Sequence, residues 1–246
     1  MPDLDLGRVD GGSSSLGGYL AVPDGPGPWP GVVVIHEALG LNDMVRRQAD
    51  RLAAAGYLAL TPNLFSDGGA ARCLVSTVRA LLAGKGKPVA DIDAAREHLL
   101  ARADCTGKIG VIGFCMGGGF ALVVANRGWD VASANYGQLP RDMETALSGA
   151  CPVVGSYGAK DATLRGAGPK LARTLDKLGV ENDVKTYPTA GHAFLNDEYF
   201  GPAPTHALQR ILHVGPDPEA AADAWKRIEV FFNDHLSDQT GDHTTR

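Results

Sequence analysis

The chain has 246 residues, 44% of them hydrophobic and 21% charged, with a formal net charge of -5. That length suits one large α/β domain, and an acidic balance with no basic stripe argues against nucleic acid and an anionic membrane surface as partners. No apolar run reaches the roughly 20 residues of a membrane span, and the start MPDLDLGRVDGG lacks the basic and apolar regions of a secretory signal.

Apolar β-rich runs alternate with helical patterns along the chain. Residues 18–22 read as an early strand ahead of the loop PDGPGPWP, and 31–36 as the first core strand. A helix over 42–55 opens on Asn42 and Asp43, good capping residues, and stops at Gly56. A strand over 57–62 follows, then a Gly- and Arg-containing segment over 66–88 with a short helix at 74–83. The helix over 89–102 carries Ile92, Ala95 and Leu99 at helical spacing. Strand 108–114 leads into helix 115–126, and strands 131–136 and 151–157 come next. Helix 168–178 ends at Gly179, strand 183–187 follows, and a Pro-rich segment over 196–218 precedes a last helix over 219–235. Runs such as VVVIH and IGVIGF are apolar throughout, as strands covered on both faces are. The alternation therefore predicts a mostly parallel central sheet with helices on both faces. A single domain over 1–236 is expected, with a polar, disordered tail over 237–246.

The sharpest local signal is Gly113-Phe114-Cys115-Met116-Gly117-Gly118-Gly119, between a strand and a helix. It has the form of a nucleophile elbow with Cys in place of Ser, in which flanking glycines permit a strained turn. The turn sets Cys115 at a helix N-terminus, whose dipole favours a thiolate. Taken alone, the motif also fits a phosphate-binding or tight packing turn. An elbow requires an acid and then a histidine downstream. Asp161 stands just past the strand at 151–157, where it also reads as a helix cap, and His192 lies in Ala190-Gly191-His192-Ala193-Phe194 past the next strand. His192 alone fits a structural histidine; the three in order point to a triad. Cys115 would attack a carbonyl, His192 would move the proton, and Asp161 would hold the imidazole tautomer. The backbone N–H groups of Met116 and Ala38 are the expected oxyanion donors, worth about 3 kcal/mol each.

The chain resembles the dienelactone hydrolases, also called carboxymethylenebutenolidases. The residues that carry the likeness are His36-Glu37 with Gly40 and Asn42, the block GYLALTPNLF at 56–65, GFCMGG at 113–118, the Asp161 turn and Gly191-His192-Ala193-Phe194. The resemblance runs from about residue 31 to 235. It implies an α/β-hydrolase fold and cleavage of a small ester or lactone through a thioester. It also implies that Glu37 contacts the resting Cys115 and activates it when substrate arrives. Two arginines that hold the substrate carboxylate in that family fall at Asp67 and Asn196 here, and neither can replace them. Arg72 in the same loop is the candidate substitute for substrate binding, with Arg79 behind it; each also reads as a solvated surface arginine.

Three readings remain open at this point: an ester or lactone hydrolase, a non-catalytic ligand-binding member of the fold, and a thioesterase or redox thiol enzyme with Cys73 as resolving thiol. The four cysteines, Cys73, Cys105, Cys115 and Cys151, are too few and scattered for a disulfide framework, which fits a reduced, cytoplasmic setting. No ligand cluster has the spacing of a metal site, so neither metal nor organic cofactor is expected. The resemblance suggests a monomer or weak oligomer.

Overall fold

A computed structural model describes residues 3–237. Strands β1 (Asp3–Gly7), β2 (Leu16–Ala21), β3 (Trp29–Ile35), β4 (Leu58–Pro62), β5 (Cys105–Phe114), β6 (Val131–Asn135), β7 (Val153–Gly158) and β8 (Asn182–Tyr187) form one sheet in the order β1-β2-β4-β3-β5-β6-β7-β8. From β3 to β8 the strands run parallel, and β1 and β2 join antiparallel at the β4 edge. The parallel strands are the apolar runs: Val32, Val33, Val34 and Ile35 of β3 are wholly buried, as are Val111, Ile112 and Phe114 of β5.

The helices are α1 (Asp43–Ala54), α2 (Ala70–Ala83), α3 (Lys87–Leu100), α4 (Met116–Val124), α5 (Met143–Leu147), α6 (Ala167–Leu178), α7 (His206–Ile211) and α8 (Pro218–Leu236). Strand register shows how they divide. Gly31, Ile109, Gly113 and Gly155 share one face of the sheet, and a Cβ on Gly31 or Gly155 would meet Leu99 of α3 or Leu171 of α6. Gly110 points to the opposite face, where Phe232 and Leu236 of α8 close on it. Helix α1 lies beside α8, with Arg51 bonded to Glu229 and stacked 4.5 Å over the Trp225 ring. The expected mostly parallel sheet with helices on both faces is therefore present.

Several elements differ from the sequence reading. Strand β1, with its alternating DLDLG, was not anticipated. Helix α2 starts at Ala70 rather than 74, because Gly69 with φ 78 ends the preceding turn and lets the helix begin. Short helix α5 was not anticipated, and α7 lies within the Pro-rich segment over 196–218. Apart from Ser237, the tail expected over 237–246 lies outside the described residues. Among the described residues, no helix is long and apolar enough to cross a membrane.

Candidate active site

The site is built at the C-terminal ends of β3, β5, β6, β7 and β8, where loops of a parallel sheet gather. Its centre is the turn from β5 into α4. Cys115 has φ 53, in the left-handed region that a non-glycine residue enters at a cost of about 1–3 kcal/mol. Gly113 and Gly117 make the turn possible: a Cβ on Gly113 would run into the Gly117 carbonyl, and one on Gly117 into the Ile35 carbonyl. The Cys115 N–H is held by the Asn135 carbonyl at 3.1 Å. Met116 is the first residue of α4, so its N–H has no intrahelical acceptor. On the other side of the cleft, the β3 exit turns back where the Gly40 N–H donates to the Glu37 carbonyl at 3.1 Å, with Ala38 and Leu39 at the tip.

His36 fixes that turn. The Leu64 N–H donates to its Nε2 at 3.1 Å, so Nδ1 carries the proton and donates to the Glu37 carbonyl at 2.6 Å. Burial lowers its pKa to about 4, which keeps the ring neutral.

Asp161 and His192 come from neighbouring turns that are locked together. The Lys160 N–H donates to the Ala190 carbonyl at 2.9 Å, and a Cβ on Gly158 would strike the carbonyls of Ala190 and Gly191. His192 Nδ1 lies 2.6 Å from Asp161 Oδ2. The other carboxylate oxygen, Oδ1, accepts from Thr163 N–H at 2.9 Å and Thr163 Oγ1 at 2.7 Å. Asp161 thus serves both as partner of His192 and as cap of its own turn. It is 2% exposed. Burial would raise its pKa, but the bonds from His192 and Thr163 outweigh that and leave it lowered.

Cys115 also acts on the His192 imidazole, and with Nδ1 on Asp161 the nitrogen left to face the sulfur is Nε2. Burial would depress the imidazole pKa; the bond to Asp161 and the influence of Cys115 and Asp161 instead push it up to about 10. The histidine's backbone is clamped from behind: its N–H donates to the His213 carbonyl at 2.9 Å, and the Gly215 N–H donates to its carbonyl at 2.8 Å. Ala193 (φ 61) and His213 (φ 52) take up the sharp bends.

Glu37 is buried beside this pair. Its Oε1 lies 3.4 Å from the Tyr136 hydroxyl and its Oε2 3.5 Å from Asn196 Nδ2. Asn196 Oδ1 accepts in turn from Gln48 Nε2 at 3.3 Å and faces the Tyr136 hydroxyl at 3.4 Å. Burial raises the Glu37 pKa against the opposing charge of His192 and the bonds from Asn196 and Tyr136. The Tyr136 ring packs edge-on against His192, centroids 5.2 Å apart.

The structure therefore brings together Cys115, His192 and Asp161, with Glu37 close by, Met116 next to Cys115 at the head of α4 and Ala38 at the tip of the β3 exit turn. It does not bring in Arg72, which lines a separate 360 Å³ cleft with Leu64, Asp67, Cys73, Lys87 and Asp91. Arg79 is exposed on α2. Asp67 is taken up by Lys87 and Ser14. Tyr136 and Gln48 were missed from sequence. The one available signal was that Tyr136 follows the strand next to the elbow's strand. Among the described residues, no group of three or more His, Cys, Asp or Glu side chains could hold a metal ion.

Comparison with known proteins gives a consistent picture. The model of the Dienelactone hydrolase family matches residues 16–236. Two proteins carrying the name "Putative carboxymethylenebutenolidase" align over most of their length. That of Saccharolobus solfataricus is 28% identical over 260 residues, covering 90% of this chain and 95% of its own. That of Yersinia pestis is 30% identical over 239 residues, covering 89% and 84%. The crystal structure of a dienelactone hydrolase-like promiscuous phosphotriesterase from metagenomic libraries superposes with a TM-score of 0.78 at 26% identity, covering 96% of this chain and 98% of that one. The architecture is that of the α/β-hydrolase fold.

Proposed function

Because this chain belongs to the dienelactone hydrolase family, we propose that it is a carboxylic ester hydrolase that cleaves a small ester or lactone through Cys115, His192 and Asp161. The observation that carries the reading is the 2.6 Å bond between Asp161 and His192, on an imidazole whose protonation Cys115 also influences.

Cys115 passes its thiol proton to His192 Nε2, and the thiolate attacks the carbonyl carbon of the ester. The negative charge that develops on the carbonyl oxygen is met by the N–H groups of Met116 and Ala38. Collapse of the tetrahedral species breaks the bond to the leaving oxygen, which takes the proton from His192 and departs as alcohol. An acyl thioester remains on Cys115. His192 then removes a proton from water, which attacks the thioester carbonyl. The acid leaves, and the thiolate and imidazolium are restored. Asp161 keeps Nδ1 protonated throughout, so Nε2 is always the nitrogen that faces sulfur.

Glu37 acts on the same pair. Its charge acts on His192 and so favours the protonated imidazole that forms when Cys115 becomes a thiolate. A nucleophile of this kind works as a free thiol, which fits a reducing, cytoplasmic setting.

The test is turnover of p-nitrophenyl acetate and of a dienelactone by the parent and by Cys115→Ala, with mass spectrometry of the quenched parent. Loss of turnover in the variant and an acyl adduct on Cys115 are expected. Turnover undiminished in Cys115→Ala would defeat the reading.

A further inference from the structure

Strand β6 ends on polar residues in the middle of an apolar sheet. Ser133 and Asn135 are wholly buried, and so is Ser156 of β7, which stands in register with Asn135. A strand covered on both faces ordinarily carries apolar side chains, as Val131, Ala132 and Ala134 of the same strand do. Asn135 is also incompletely satisfied. Its Oδ1 has no hydrogen-bond partner among the described residues, and neither has the Ser156 hydroxyl. A buried acceptor left unpaired is destabilising. A residue kept at such a cost needs a compensating role, and such residues gather at functional sites.

The compensation lies in what Asn135 holds. It stands opposite Phe114 in register and grips the elbow on either side of that residue. Its carbonyl accepts from the Cys115 N–H at 3.1 Å. Its side-chain nitrogen donates to the Gly113 carbonyl at 3.2 Å and to Ser133 Oγ at 3.0 Å. The Gly113 oxygen can only accept, so the nitrogen of the amide, not its oxygen, is the atom that faces it. Gly113 is the least restrained residue of the turn for want of a side chain, and the amide pins its carbonyl. The first turn of α4 closes on the same residue, because a Cβ on Gly118 would lie 2.6 Å from the Asn135 carbonyl. In the other direction Asn135 leads straight into Tyr136, which has φ 39 and faces Glu37 through its hydroxyl.

We propose that Asn135 is the positioning residue of the nucleophile: by fixing the Gly113 carbonyl and the Cys115 N–H together, it sets the direction in which the thiol leaves the strained turn toward His192. The unpaired Oδ1 is what this grip costs in stability. The kinetic consequence rests on the hydrolase reading; the geometric one, a correctly aimed thiol, does not.

The experiment compares the parent with Asn135→Leu, Asn135→Ala and Ser156→Ala. It reads kcat and KM on p-nitrophenyl butyrate, and the rate of iodoacetamide alkylation at Cys115 by mass spectrometry. Cys105, half-buried like Cys115 but at the opposite end of β5, is the internal reference. Leucine fills the space of asparagine and removes the unpaired oxygen along with the donors, so the melting temperature should stay close to that of the parent. With the thiol misaimed, kcat should fall on the order of tenfold or more while KM holds. Alkylation of Cys115 relative to Cys105 should fall several-fold. Ser156→Ala takes a buried polar atom from the same layer without touching the elbow and should leave both readouts as they are. Asn135→Ala carries the test should the leucine variant not fold. A folded Asn135 variant with kcat and Cys115 alkylation like those of the parent overturns the proposal. So does a loss confined to KM, and so does an equal loss in Ser156→Ala, because a disturbed core would then be the cause. A parent that is alkylated at Cys115 but hydrolyses no ester refutes the hydrolase reading instead, and the alkylation ratio then decides the role of Asn135 by itself.

Discussion

Replacing Asp161 by Asn tests the triad with the least disturbance. The two side chains have the same shape, and an Asn oxygen in the place of Oδ1 still accepts from Thr163 N–H and Oγ1, now 2.9 and 2.7 Å away. The amide NH2 then faces His192 Nδ1 in place of an acceptor at 2.6 Å. Two donors cannot share that contact, so the ring shifts its proton to Nε2, the nitrogen that must accept from Cys115. The base is lost without loss of the fold. Catalysis with the wrong tautomer falls on the order of 10⁴-fold. At about 1.4 kcal/mol per tenfold, that is between 5 and 6 kcal/mol of transition-state stabilisation. Steady-state kcat/KM on p-nitrophenyl butyrate measures it, with thermal unfolding as the control for folding. A variant within tenfold of the parent, at unchanged melting temperature, would show that Asp161 only caps its turn.

Three more outcomes follow from the site. Glu37→Gln should slow the single-turnover acylation phase by at least tenfold while leaving the melting temperature within a few degrees of the parent; equal burst rates would remove Glu37 from catalysis. Gly191→Ala places a Cβ against the His213 carbonyl, so it should destabilise the protein by roughly 1–3 kcal/mol through overpacking and also weaken kcat by displacing His192, both measurable by urea unfolding and turnover. The His192 pKa is raised from 6.5 to about 10, so protonated imidazole is retained at neutral pH and lost as pH rises through about 10. Hydrolysis of ethyl butyrate in a pH-stat should fall across that range, and at lower pH in Asp161→Asn, where the raising carboxylate is gone; a limb that stays put in the variant would contradict the assignment.

The fold was legible where burial writes a continuous apolar run, as in Val32–Val34 and Val111–Ile112, because a strand covered on both faces has no polar positions. It was missed at β1, an edge strand of only five residues, DLDLG, whose alternation is too short to stand out. Helix α2 was read short because its first residues, Ala70 to Cys73, follow Gly68-Gly69 with no capping side chain to mark the start. Of the site, Cys115, Asp161 and His192 could be read because the elbow dictates their order along the chain. Tyr136 could not be distinguished from a core aromatic. Gln48 and Asn196 are amides 148 positions apart whose meeting depends wholly on how α1 packs under the last loops. Arg72 looked suited to an anion by loop proximity, yet helix α2 turns it toward another cleft.

The backbone clamp on His192 has a bearing on how this protein can vary. The chain leaves the site at Asn196 and returns at His213 and Gly215, and both ends are fastened to the catalytic machinery. Between them, the stretch through α7 hangs as a span between two posts. Because ring-closure entropy rises only slowly with length, by about 0.6 kcal/mol per doubling, that span can be lengthened, shortened or re-sequenced at little energetic cost while the posts hold the imidazole in register. Diversity in relatives should therefore accumulate between the posts, and directed evolution of new specificity has its freest ground there.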